Sequence, residues 1–266
     1  MSTSSASVLA DFVPYRDLRL NFDGAVATLE MCRPPHNYFD EAMMDGLVEA
    51  LRHLDGNDRC RAVVLASNGK SFCAGADFSI PGMSQPGIGT RLYARALKMF
   101  QTRKPIVAAV HGSAMGGGMG LSLTADFRVV APSTRMAANF CRLGIHPGFG
   151  VSHTLPRLVG AQRAAMLLYT GRRIEGAEAV AIGLADVLAE EGQVLVRAQE
   201  LAADIALSAP LALMSTRATL RQQLVDTIGA AMDHEAAQQD TQWLTHDFKE
   251  GVAAMAERRS PEFLGR

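Results

Sequence analysis

Twenty-one consecutive residues without a formal charge, Pro105 to Ala125, limit most strongly what this 266-residue chain can fold into. A run of that length either crosses a bilayer or is buried inside a globular core. Its composition excludes the first. Gly112, Gly116, Gly117, Gly118 and Gly120 stand in it with His111 and Ser113, too much glycine and polarity for a spanning helix. A buried strand, Ile106 to Val110, turning into a buried helix that opens in the glycine cluster, accounts for the same charge-free run.

The same alternation recurs along the chain. Gly24 to Met31 and Arg61 to Ser67 are β-rich runs bounded by turn residues and read as strands. Between them Met44, Leu47, Val48, Leu51 and Leu54 repeat at helical spacing, with Asp40 as cap and Gly56-Asn57 as stop. A helix is expected around Thr90 to Gln101 and a strand at Phe127 to Val130. Strands alternating with helices are the signature of an α/β core with crossover connections. Beyond about Gln162 the signals become helical: Ala161 to Tyr169, Gly176 to Ile182, Gly192 to Leu207, Pro210 to Leu224 and Ile228 to Thr245. Pro210 suits the first turn of a new helix. The reading is therefore a core over residues 1–208 and a helical region over 209–266, whose apolar faces would pack on the core or on a neighbouring subunit.

Charge and cysteine usage narrow the function classes. Lys+Arg 26 against Asp+Glu 27 leaves a net charge of -1, so no global field recruits nucleic acid or an anionic membrane. Cys32, Cys60, Cys73 and Cys141 form no CxxC pair, which argues against a zinc ribbon and a disulfide-stapled fold and fits a cytoplasmic protein. No His/Cys/Asp cluster has metal-ligand spacing. The start, MSTSSASVLADF, lacks the basic and apolar segments of a signal peptide and reads as a loose tail.

Two glycine-bearing turns carry the chemistry. SFCAGADF, Ser71 to Phe78, follows the strand Arg61 to Ser67, and HGSAMGGGMG, His111 to Gly120, follows Ile106 to Val110. Glycines at strand ends let the backbone approach a ligand and leave amide N–H groups pointing outward. Two amides aimed at one point make an oxyanion hole for charge developing on a carbonyl oxygen. No GxGxxG or GxxxxGK[ST] pattern is present, so a dinucleotide or P-loop reading has no support.

Together these segments resemble the crotonase, or enoyl-CoA hydratase/isomerase, superfamily. The resemblance continues in ADFRVVAPSTRM (Ala125 to Met136), LGIHPGFG (Leu143 to Gly150), LPRLVG (Leu155 to Gly160), LLYTGRRI (Leu167 to Ile174) and EGVAAMAERRSPEF (Glu250 to Phe263). It implies a spiral of strand-strand-helix turns, a helical C-terminal region used in trimerisation, a homotrimer or homohexamer, and an acyl-CoA thioester as ligand, with coenzyme A as part of the substrate rather than a separate cofactor. The oxyanion hole would be the amides of Ala76 and Gly117. Ala74 would lie beside the adenine of coenzyme A, Arg33 near its phosphates, and Phe263, with Arg258, Arg259 and Arg266, among its contacts. Asp77 and Asp126 would brace turns.

The sequence departs from the family at the acid/base positions. Hydratases of this family place two glutamates twenty residues apart, where this chain has Gly120 and Phe140. An aspartate that some relatives carry is replaced by Gly148. Hydration needs one group to deprotonate water and another to protonate the α-carbon, and glycine and phenylalanine do neither. His146, beside the Pro147-Gly148 turn, is the leading substitute base because histidine titrates near neutral pH. His36 and Tyr93 follow, while His111, His153 and Cys73 read as structural. Two functions stay open: an enzyme of this family with unusual acid/base residues, or an acyl-CoA binding or carrier protein.

Overall fold

The computed structural model describes residues 17–266; the tail read from MSTSSASVLADF lies outside the described residues. Gly24, at φ +55°, turns a hairpin between β1 (Leu18–Asp23) and β2 (Val26–Met31), so the first β-rich run pairs antiparallel with a strand before it. From β2 onward the sheet is parallel: β3 (Ala62–Ser67), β4 (Ile106–Val110), β6 (Phe127–Val130) and β9 (Val187–Leu188) extend it in the order β1-β2-β3-β4-β6-β9. Every residue of β3 and β4 is buried. That explains the continuous apolar runs in place of alternation, since parallel strands are covered on both faces.

A second, three-stranded sheet pairs β5 (Ser113–Met115), β7 (Arg135–Ala137) and β8 (Ile174–Glu175). Isolated parallel bridges Phe39↔Ala76 and Cys73↔Ala114 continue its path. From β2 to β7 each excursion of the chain therefore visits the large sheet, then the small sheet or its bridges, then a helical segment. The helices of the first turns are α1 (Glu41–Gly56), α2 (Ile88–Phe100) and α3 (Gly117–Ser122). This is the expected spiral of strand-strand-helix turns. As expected, Asp40 caps α1, its carboxylate accepting from the Met43 amide at 2.9 Å.

A short 3-10 turn (Asn139–Leu143) leads into α4 (Val151–Val159), α5 (Ala161–Thr170), α6 (Gly176–Ala181) and α7 (Val194–Ala206). Ala198, Ala202 and Ala206 of α7 give a small-residue face that lies on Val64, Val107 and Val129 of the sheet. The two helices expected over Pro210–Leu224 and Ile228–Thr245 are instead one, α8 (Pro210–Gln242), followed by α9 (His246–Glu257). Leu224, Ile228, Met232 and Ala236 form an unbroken stripe of buried residues four apart. Gly229, a weak helix former within the stripe, has room beside Leu97, 3.6 Å from where a Cβ would stand, and the helix runs through it unbroken.

Asp126 anchors α8 to the core. Its carboxylate takes Arg217 at 2.8 Å and Arg221 at 2.9 Å, and also the Ile106 amide at 2.8 Å. All four cysteines are free. Among the described residues no helix is long and apolar enough to cross a membrane.

Candidate functional site

The two glycine-bearing turns lie against each other because the small sheet joins them. The Cys73 amide donates to the Ser113 carbonyl and the Met115 amide to the Cys73 carbonyl, both at 3.1 Å. A Cβ on Gly118 would run into the Cys73 carbonyl, and one on Gly75, at φ +89°, would stand 3.4 Å from the Gly117 nitrogen. Glycine is required at both positions for this approach. It places the amides of Ala76 and Gly117 on adjacent turns that line one cavity. Neither amide finds a hydrogen-bond acceptor among the described residues. Gly117 opens α3, where the first amides have no intrahelical partner. Such a pair can hold a carbonyl oxygen that gains negative charge.

The cavity in front of these amides measures about 420 Å³. Its wall is apolar. Phe39, Phe140 and Phe149 face it with Leu92, Leu143 and Val252. The space a side chain at position 120 would occupy is already filled, since a Cβ on Gly120 would lie 2.7 Å from the Phe149 Cβ. Phe149 itself sits between Gly148 and Gly150 at φ +63°, a backbone region that bulky residues rarely adopt. Any side chain at 148 would collide with the Tyr93 hydroxyl.

The turn carrying Phe149 is gripped by polar residues on one face of α8. Glu235, fully buried, accepts from the Gly150 amide at 2.7 Å, the Ser152 amide at 2.9 Å and the Ser152 hydroxyl at 2.6 Å. Burial nevertheless dominates these bonds and pushes its carboxyl up to about 7. One turn on, the Gln239 amide nitrogen donates to the His146 carbonyl at 2.8 Å, and its oxygen accepts from the Tyr93 hydroxyl at 2.7 Å. The Gln242 oxygen accepts from the His146 amide at 2.6 Å. Burial holds the Tyr93 phenol well above its ordinary range, so it stays neutral at any working pH.

Residues 21–266 match the family model for enoyl-CoA hydratase/isomerase. The chain belongs to that family. It is 30% identical over 258 residues to the crotonyl-CoA hydratase of Syntrophomonas wolfei, covering 95% of this chain and 99% of that protein. To the 1,2-epoxyphenylacetyl-CoA isomerase of Escherichia coli it is 29% identical, over 91% of this chain and 95% of the relative. A crystal structure of an enoyl-CoA hydratase/isomerase from Pseudoalteromonas atlantica T6c superposes with a TM-score of 0.84 at 28% identity, covering 94% of this chain and all of that one. The chain is thus an enzyme of the enoyl-CoA hydratase/isomerase superfamily by descent and fold.

Within this member of the family the sequence-derived site residues are dispersed. Ala74, Ala76 and Gly117 line the cavity, as do Phe140 and Tyr93. His146 does not. Its ring nitrogen contacts the Pro147 carbonyl at 2.7 Å and its ring packs edge-on to His234, 5.6 Å between centroids. His36 contacts the Ser71 hydroxyl at 3.3 Å, His111 the Gly69 carbonyl at 3.2 Å, and His153 the Thr227 hydroxyl at 2.9 Å. Cys73 is buried and its thiol is pushed up to about 12 by burial. Arg33 is held by Asp17 at 2.7 Å and Asp40 at 3.0 Å. Phe263 lies exposed in the tail, where Arg259 pairs with Glu250 and Glu257. Asp77 braces a turn, accepting from the Ser79 amide at 2.9 Å and hydroxyl at 2.7 Å.

Sequence reasoning missed Phe149, Glu235 and Gln239. Phe149 carried one signal, a bulky residue flanked by two glycines. Glu235 and Gln239 carried none, because their partners lie more than eighty residues away in the chain.

Proposed function

We propose that this protein binds the thioester carbonyl of an acyl-CoA between the amides of Ala76 and Gly117 and stabilises the enolate that forms there. One observation carries the reading: two unclaimed amides on adjacent turns open onto an apolar cavity. Charge that develops on the carbonyl oxygen is met by donors already in place, with no reorganisation. Ala74 supports the nucleotide end of the ligand in this proposal. A phosphate approaching Arg33 would compete with two carboxylates, and Phe263 and the tail arginines complete the contacts only if the tail meets the ligand.

Hydration is the family reaction the site supports least. Its two acid/base positions hold Gly120 and Phe140, and Phe149 occupies the volume between cavity and α3. Neither residue can deprotonate a water or protonate the α-carbon. Isomerisation also needs a group that moves a proton, so the site supports thioester binding and stabilisation of the enolate oxygen and assigns no single reaction beyond them. His146, outside the cavity lining, serves as a brace of the Pro147-Gly148 turn. We further propose a homotrimer or homohexamer in the cytoplasm.

Calorimetric titration with crotonyl-CoA and free coenzyme A tests the central claim. The thioester should bind at least tenfold tighter, 1.4 kcal/mol. Gly117→Ala should cancel that difference, because its Cβ would press on the Phe39 ring, 2.6 Å away, and displace the turn that carries the amide. Equal affinity of the native protein for thioester and free coenzyme A would refute the proposal.

A further inference from the structure

We infer that the acyl group this cavity selects carries an aromatic ring. The inference rests on the thioester reading above and names the substrate class it leaves open. Of the 27 residues that line the cavity, seven are aromatic, against 6% of the chain as a whole. Three methionines join them, and thioether sulfur makes favourable contacts at ring edges.

The rings are arranged in two groups. In one, Phe149 meets Phe39 at 5.3 Å between centroids, tilted by 50°, and Tyr93 at 6.3 Å, tilted by 70°. In the other, Phe78 meets Trp243 at 5.8 Å, tilted by 52°. These are tilted and edge-to-face geometries, and all five rings belong to residues that line the cavity. A linear chain gains from such a wall only through buried area. A planar ring gains in addition from the match of its positive edge to a negative face.

Size agrees. A dry cavity of about 150 Å³ lined by Leu, Ile and Phe suffices for benzene, and this one measures about 420 Å³, leaving space for the thioester and the carbons between. Phe149 is the residue most specifically committed to the arrangement. It is held at φ +63°, where a bulky side chain is disfavoured, by a turn whose Gly150 and Ser152 amides donate to Glu235. Strain of this kind persists only where the surroundings over-determine it, and here it holds a ring in the cavity wall.

Competition binding of 3-phenylpropanoyl-CoA and nonanoyl-CoA, matched in acyl carbon number, with free coenzyme A as reference, tests this. The aryl thioester should bind at least tenfold tighter than the alkyl one, and Phe149→Leu should lower that ratio to threefold or less. Should Phe149→Leu fail to fold by near-ultraviolet circular dichroism, Phe39→Leu carries the same expectation. A ratio near one in the native protein overturns the inference while leaving the thioester reading intact, provided both thioesters outbind coenzyme A. A tenfold ratio that survives in a folded variant overturns it as well, since the preference then arises elsewhere. If neither thioester outbinds coenzyme A, the thioester reading fails and this inference with it.

Discussion

Phe149 and Gly120 share one volume, and that sets the outcome of any attempt to rebuild a hydratase. Placing glutamates at 120 and 140 together drives a new side chain into the Phe149 Cβ, 2.7 Å from where its own Cβ would begin. Overpacking of this kind costs about 1–3 kcal/mol. The double variant Gly120→Glu/Phe140→Glu should therefore melt lower and hydrate crotonyl-CoA no better than the native protein. Adding Phe149→Gly, which suits φ +63°, should relieve the clash and raise hydration by something on the order of the 10²–10⁴-fold that acid/base assistance supplies. Loss of enoyl absorbance reads both outcomes. Glu235 makes a second prediction. Burial raises its carboxyl to about 7, above the roughly 4.3 of a free glutamate. Across that window the folded protein keeps a proton that the unfolded chain has released. Stability from this group thus falls as pH rises from about 4.3 to about 7 and is flat above, at roughly 1.4 kcal/mol per unit of separation. Denaturant unfolding of Glu235→Gln against the native protein should show that slope removed.

At the scale of elements, α8 does two jobs on two stretches of its length. Near its start Arg217 and Arg221 close on Asp126; near its end Glu235, Gln239 and Gln242 hold the turn that carries Phe149. Asp126→Ala leaves two largely buried guanidinium groups without their counter-charge, and removing one partner of such a cluster costs about 3–5 kcal/mol. A fall of that size in unfolding free energy, with ligand affinity retained in the folded fraction, is the expected result. Gln239→Leu acts at the other end. It strips a partner from the Tyr93 hydroxyl and the His146 carbonyl, at about 1–3 kcal/mol, and loosens the Phe149 turn, so acyl-CoA affinity should drop together with stability. Titration of the two variants side by side separates the anchoring job from the gripping job.

For the whole molecule, exposed apolar side chains point to self-association. Met166 and Tyr169 on α5 and Leu207, Leu211 and Leu220 at and near the start of α8 are all more than half exposed. Large apolar groups left exposed in this number are a mark of an interaction surface. Sedimentation at micromolar concentration should give a trimer or hexamer, and Tyr169→Glu with Leu220→Glu should shift it toward monomer. A native protein that sediments as a monomer would contradict the assembly and leave the core fold standing.

The sequence by itself determined the α/β alternation, the turns that carry Ala76 and Gly117, and the loss of the usual carboxylates at 120 and 140. The first two are legible because they rest on short-range physics, hydrophobic period and glycine at strand ends; the third is what the family resemblance implies for Gly120 and Phe140. The tertiary structure alone decided what replaces the missing carboxylates. Whether His146 lines the cavity depends on the ring direction set by Pro147 and α8, and local pattern does not encode it. The strands of the small sheet, two or three residues long, leave no period to read. Phe149 closes over Gly120 on a turn whose amides donate to Glu235, distant in sequence, inside the core; a buried polar group must find a partner, and only the folded chain specifies which.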